Sequence, residues 1–308
     1  GTVIPVDGYI VFWCSGRNES SGSNYHTNFK LKQTKNNPDH VVFSDPNGNV
    51  INDIEMQKTQ LDHSMGRDMD DPESWRIFIH PTKGDENLET NYIAYAEAAT
   101  MNYEAGFYYG SIDLEITTNE PNSSIRYTTN GNLPFFASSL YTGPITISNT
   151  QVLKAIVYTT EPDILPSFIT FNTYFIDEDH ALPVLSTSAN QLTTLLNGNQ
   201  SLRPHGSIEY FNVEGERKDF GYGEYNKHGQ DSWAFPQRSF DYIARDEMGY
   251  HDAIHEKLLS LSDRDEFQRI IIRASGDDNY PGIDSSAHMR DIFIHKFANK
   301  NNMKLDMR

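Results

Sequence analysis

The 308-residue chain has one cysteine, no long apolar run and few cations. A lone Cys14 excludes an internal disulfide and says nothing decisive about compartment. It lies in the run Gly8–Cys14, which reads as a buried strand with a structural thiol rather than a reactive one. No stretch approaches the ~20 apolar residues of a membrane-spanning helix. Lys+Arg number 25 against Asp+Glu 43, a net charge of −18, and no Lys/Arg-rich run occurs. Such a surface repels nucleic acid and anionic lipid, so no nucleic-acid partner is expected. A Ser-His-Asp hydrolase is not supported, because no GxSxG elbow occurs. His288 and His295 are seven residues apart, not at the i, i+4 spacing of a zinc helix, and no cysteine supports them. No signal peptide stands at Gly1; the chain reads as starting inside a domain of a longer protein.

What is present favours β modules. Aromatic residues make up 12% of the chain, with Tyr 17 and Phe 17, and a hydrophobic content of 37% permits ordinary cores. Two or three domains are expected for this length. Residues 1–88 read as short strands and turns: GYIVFW as a continuous apolar strand, and VVFSDPNGNVINDI as a hairpin turning at Asn47-Gly48. Asp45, Asn47 and Asn49 suggest either a calcium loop or a plain turn. The Gly comes early and Met56 stands where the loop's Glu belongs, which favours the turn. The strings HTNFKLK, DPNGNVI and SMGRD, then Trp75 and PTKGDEN, resemble the second half of a lamin-tail domain, an immunoglobulin-like β-sandwich.

Residues 89–176 form a second β unit. SIDLEITTN puts Ile112, Leu114 and Ile116 on one face; SSIRYTTNG does the same for Ile125 and Tyr127 and turns at Asn130-Gly131. PITIS and VLKAIVYT supply further strands, a spacing that indicates a sandwich. FYYGSIDLEI, NSSIRYTTNGNLP, SSLYTGPITI and VLKAIVY resemble the small C-terminal module of chitobiase and hexosaminidase enzymes. The resemblance implies an accessory, fibronectin-III-like sandwich. Phe135 and Phe136 then read either as a sugar platform or as a patch packed against a neighbouring domain or strand.

Residues 177–308 change character. A Pro-led strand, a short helix over 189–196, the strand SIEYFN, the Gly-spaced segment DFGYGEY and the strand SFDYIARD follow in order. DAIHEKLLSL reads as a helix with Ile254, Leu258 and Leu261 on one face. FQRIIIRAS reads as a strand buried on both faces at Ile270–Ile272. SSAHMRDIFIHKFANK reads as a helix capped by Ser285 or Ser286, with Met289, Ile292, Phe293 and Phe297 on one face.

One stretch in this part carries candidate chemistry, KHGQDSWAFPQRSFDYIAR at 227–245. A Gly turn leading to a strand that opens with a cation is one way to hold a phosphate, because backbone approaches closely at Gly. LPVLS, IEYFN with a following EG, the 227–250 run, RDEFQRIIIRASGDDNYPG and AHMRDIFIH resemble, in order and spacing, the N-terminal portion of the CotH kinase family of spore-coat type. The resemblance implies an α+β kinase-like domain, incomplete in this chain, that transfers phosphate from ATP with Mg2+ to Ser or Thr on a protein partner. It implies nucleotide contacts at Gly229, Gln230, Ser232 and Arg238, with Arg238 where relatives carry a Lys. Arg is a planar fork and Lys a point charge, so this exchange is not conservative. An ion pair of Arg238 with Asp241 or another acid is the competing reading. His228 either lines the site or makes a structural bond. Asp277, Asp278 and Asn279 form an acidic loop after a strand, and Arg290 either binds phosphate or pairs internally.

The fold expected is therefore two all-β immunoglobulin-like sandwiches, 1–88 and 89–176, followed by a partial α+β kinase-like domain at 177–308. The function expected is that of an exported or cell-surface bacterial protein with a CotH-like kinase domain. The alternatives are a non-catalytic adhesion or scaffold protein that binds a surface partner or a glycan, and an accessory region of a polysaccharide-degrading enzyme.

Overall fold

The computed structural model describes residues 3–4, 6–22, 24–88, 90–259, 263–274, 289–301 and 303. The first unit holds three small sheets. Strands β1 (Phe12–Trp13), β2 (Glu19–Ser21) and β3 (Asn24–His26) form one, in the order β1-β3-β2. β4 (His40–Ser44) and β5 (Val50–Glu55) form the expected hairpin, with Gly48 at φ 87 in the turn. Asp45 Oδ1 accepts the Asn47 and Asn49 N–H groups at 2.8 and 2.9 Å, so its carboxylate shapes the turn. β6 (Ser64–Arg67) pairs with β7 (Trp75–Phe78). The run GYIVFW does not form a continuous buried strand. Only Phe12 and Trp13 pair; both are exposed, and Cys14 is half-buried rather than buried. Their rings lie against the cross-strand Tyr25 and His26 instead of a core.

The second unit is a β-sandwich. It runs β8 (Ala94–Tyr95), β9 (Thr100–Met101), β10 (Gly106–Tyr108), β11 (Ile112–Leu114), β12 (Ile116–Thr117), β13 (Ser123–Thr128), β14 (Ser139–Leu140), β15 (Ile145–Ile147), β16 (Gln151–Thr159), β17 (Ile164–Leu165) and β18 (Thr170–Ile176). Five strands join in the order β10-β18-β16-β13-β14, and β11–β15, β12–β9 and β17–β8 are short pairs. Alternation does the sorting. Ile112, Leu114, Ile116 and Ile125 point inward with Leu153, Ala155, Val157 and Tyr174, and all are buried in one cluster.

The third unit is an antiparallel meander of β19 (Val184–Ala189), β20 (His205–Phe211), β21 (Arg217–Lys227), β22 (Phe240–Ala244) and β23 (Arg269–Ile272) in sequence order. Helix α1 (Leu192–Leu196) follows β19 and buries Leu192 and Leu195 against Ile208, Tyr225 and Tyr242. The expected helix at 252–261 is absent from its described part. Ile254 instead exchanges both backbone bonds with Phe267, at 3.0 and 2.9 Å, and Asp219 accepts the His255 N–H. Ile254 and Leu258 are still buried, so the apolar spacing was met by an irregular segment. β23 is an edge strand, not one buried on both faces: Ile271 is 48% exposed. Helix α2 (Arg290–Lys300) turns Met289, Phe293 and Phe297 outward, the face expected to pack, and buries Ala298. Ser285 and Ser286 lie outside the described residues.

The second and third units are joined face to face. Inward residues of the five-stranded sandwich sheet fill its core, which leaves Phe107, Lys154, Phe171, Thr173 and Phe175 on the opposite face. The third unit covers that face. Phe107, Phe175 and Phe211 form one aromatic cluster; Phe171, Tyr222 and Tyr250 form another. The Gly249 backbone (φ +82) lies close against the Phe168 ring, where an added Cβ would stand 2.1 Å from Cε1. The first unit is tied to both. Gln33 N–H donates to Asp246 at 2.8 Å, Lys32 pairs with Asp252, and the Gln60 amide donates to the Pro166 carbonyl at 2.9 Å.

Candidate functional site

The 228–238 segment leaves β21 through Gly229, whose φ of 85 is open to glycine, and enters a single 3-10 turn at Asp231–Ala234. Trp233 holds this turn from beneath. It is 3% exposed, and its indole N–H lies 2.7 Å from the His228 carbonyl and 2.9 Å from that of Ser239. Burial of so large a ring with its one donor satisfied fixes the turn against the core. Gly229 and Gln230 are exposed at the surface. The side chain of Ser232 lies outside the described residues.

Arg238 is turned toward structure. Its Nε donates to the Trp233 carbonyl at 3.1 Å and its Nη1 to the Leu196 carbonyl, an otherwise open acceptor in the last turn of α1. Its guanidinium carbon stands 5.6 Å from the Trp233 ring centre. The competing ion pair with Asp241 is not the one formed. Asp241, 1% exposed, meets Arg269 through Oδ2, and His228 Nδ1 lies 2.9 Å from its Oδ1. No hydrogen bond to this Oδ1 is formed among the described residues. Lys227 is the other cation at the turn, 5.5 Å from the Trp233 ring and donating to Gln200 Oε1 at 2.6 Å. Asp277, Asp278, Asn279, His288 and the side chain of Arg290 lie outside the described residues.

A buried polar group in the joint was not anticipated. Glu209, 1% exposed, accepts from Thr173 N–H at 3.2 Å, from the Thr173 hydroxyl, and from Arg217 Nη1 at 2.9 Å. Burial pushes its carboxyl up, and these bonds oppose that. Arg217 also reaches Asn172 Oδ1 at 2.8 Å and the Phe171 carbonyl at 3.3 Å. Lys154, with no exposed surface, donates to the Ser188 carbonyl at 3.1 Å and stands 5.2 Å from the Tyr222 ring. Burial drives its ammonium down to about 7, against the attraction of Glu209. The signal was in the sequence: a lone Lys inside VLKAIVY and a lone Glu inside IEYF, charges in the middle of apolar strands.

Another constellation lies at 219–255. His251 Nδ1 is 3.4 Å from Asp219 Oδ1, which raises the imidazole. Burial pushes the Asp219 carboxyl up, but His251 and the His255 and Phe220 N–H groups hold it below its ordinary range. No group of three or more metal-capable side chains occurs among the described residues. Phe135 and Phe136 are 61% and 66% exposed, and the Phe136 ring lies edge-on to Tyr158 of the neighbouring strand β16.

Residues 103–163 match the family model of the chitobiase/beta-hexosaminidase C-terminal domain. The second unit is thus similar to that module, and the match spans β10 through the middle of the sandwich to the turn before β17. No curated protein matches the chain. No helix among the described residues is long and apolar enough to cross a membrane.

Proposed function

We propose that the chain forms part of an exported bacterial surface protein and acts there as a non-catalytic adhesion or scaffold piece. In this reading a partial lamin-tail-like unit and the chitobiase/hexosaminidase C-terminal-like module are fused to the front part of a CotH-kinase-like domain. The observation that carries the non-catalytic reading is the use of Arg238. Two of its donors are spent on the carbonyls of Trp233 and Leu196, and its plane lies near Trp233. A guanidinium already holding a helix end must give up these bonds to take a phosphate. The joined sheets support the same reading, because a spacer needs units that do not swing.

The second reading is ATP- and Mg2+-dependent phosphoryl transfer to Ser or Thr of a protein substrate. It is favoured by the exposure of Gly229 and Gln230 beside the Lys227 ammonium, an arrangement open to an anion. Calorimetric titration of the full-length protein with Mg·ATP, together with a phosphate-transfer assay, separates the two. The scaffold reading expects no binding and a lower melting temperature for Arg238→Ala. Saturable Mg·ATP binding that Arg238→Ala abolishes at unchanged melting temperature overturns it in favour of the kinase.

A further inference from the structure

We propose that the turn at Phe135–Ser138, with the sheet edge beneath it, is a binding platform for a neutral polysaccharide built of flat, equatorially substituted pyranose rings. This deepens the adhesion reading and rests on it. Four large apolar side chains stand exposed around one loop and its edge strand: Leu133 at 41%, Phe135 at 61%, Phe136 at 66% and Leu140 at 46%. Clustered apolar exposure of this kind marks a contact surface.

The platform is preformed. Ser138 N–H donates to the Phe135 carbonyl at 2.8 Å, and Phe135 N–H donates back to Ser138 Oγ at 3.0 Å. The Phe136 ring stands edge-on to Tyr158 with centroids 5.6 Å apart, and the Arg126 guanidinium carbon is 5.1 Å from its centre. Arg126 is in turn anchored on the Ser138 carbonyl at 3.2 Å. On the loop's other side, Leu133 N–H donates to Asn190 of the third unit at 2.5 Å. A ring held as Phe136 is contacts a ligand with little further loss of freedom.

The chemistry around the rings selects the occupant. No Asp, Glu, Lys, Arg or His occurs between Arg126 and Lys154, in a chain with 22% charged residues. The same stretch is dense in Thr, Ser and Asn, and Asn132 and Ser139 are exposed beside the aromatic pair. Amides and hydroxyls both donate and accept, which suits a partner made of hydroxyl groups. The C–H face of an equatorially substituted pyranose is flat and carries partial positive charge, which seeks the negative face of an aromatic ring. Arg126, the cation nearest the rings among the described residues, is already engaged with Phe136 and Ser138. With a net charge of −18, anionic polysaccharides and anionic membranes are disfavoured.

The test is titration of the full-length protein with cellohexaose and chitohexaose, with polygalacturonate and phosphatidylcholine vesicles as contrasting probes. Phe135→Ala and the double variant Phe135→Ala/Phe136→Ala are compared by thermal melting. Saturable binding to a neutral hexasaccharide, weakened at least tenfold in Phe135→Ala at an unchanged melting temperature, is the expected result. Phe135→Ala decides the matter even where the double variant loses stability, because the Phe135 side chain is 61% exposed and enters no aromatic pair among the described residues. No binding of either hexasaccharide, undiminished binding in Phe135→Ala, or binding only to polygalacturonate or vesicles overturns the proposal. The scaffold reading fails on a different measurement, Mg·ATP binding, so the two failures are told apart.

Discussion

Lys154 lies in the joint between the second and third units, and its burial sets a pH dependence that a single substitution removes. Its ammonium is driven from 10.5 to about 7 by loss of water. The gap of about 3.5 units corresponds to roughly 4–5 kcal/mol against folding when the lysine is charged. The folded state binds fewer protons here than the unfolded chain between pH 7 and 10.5. Stability therefore rises with pH through that window, by about 1.4 kcal/mol per unit, and this contribution is flat below it. Lys154→Met keeps length and apolar volume and removes the titration. Urea unfolding of both proteins at intervals from pH 6 to 9.5 measures it. The variant's advantage over the wild type is expected to be largest below pH 7 and to shrink as pH rises toward 9.5. A difference between the two that stays constant from pH 6 to 9.5, or that grows with pH, refutes the reasoning.

Arg238→Ala removes two charge-assisted bonds and is expected to cost about 2–3 kcal/mol, read as a lower denaturant midpoint at unchanged slope. Gly249→Ala places a Cβ on Phe168 and forces a side chain into left-handed backbone, and about 3 kcal/mol of destabilisation is expected. Gly48→Ala, equally left-handed at φ +87 but with nothing within 4 Å, is the control and should cost about 1–2 kcal/mol. Asp219→Asn should return the His251 imidazole toward its ordinary value, followed by proton NMR. The stability that the raised imidazole contributes is full below pH 6.5 and is lost as pH rises through its folded value, so the variant should lack that loss.

The strands of the second unit were legible because each follows a period of two with a turn residue at its end. Ile112, Leu114 and Ile116 alternate, Asn130-Gly131 turns, and the buried cluster contains the residues that the pattern placed inside. The segment at 252–261 was not legible in the same way. Its apolar spacing at i and i+4 fits a helix, yet the backbone of Ile254 is claimed by Phe267 and that of His255 by Asp219. Periodicity reports which side chains are buried, not which partner their N–H groups find. The 228–238 turn shows the same limit at a site. Its Gly and its cation are visible in order, while the direction of Arg238 depends on where the end of α1 lies.

The sequence by itself determined that this is a β-rich, acidic chain with a β-sandwich in its middle, because composition and alternation are local properties. Only the tertiary structure decided that the sandwich's second face is not open to water. Lys154 and Glu209 reside on β16 and β20, in different units; the third unit brings the Ser188 carbonyl to Lys154, and the second brings Thr173 to Glu209, whose own unit adds Arg217. Long-range desolvation and pairing of this kind leave no periodic trace in a chain, and they fix how the two units meet.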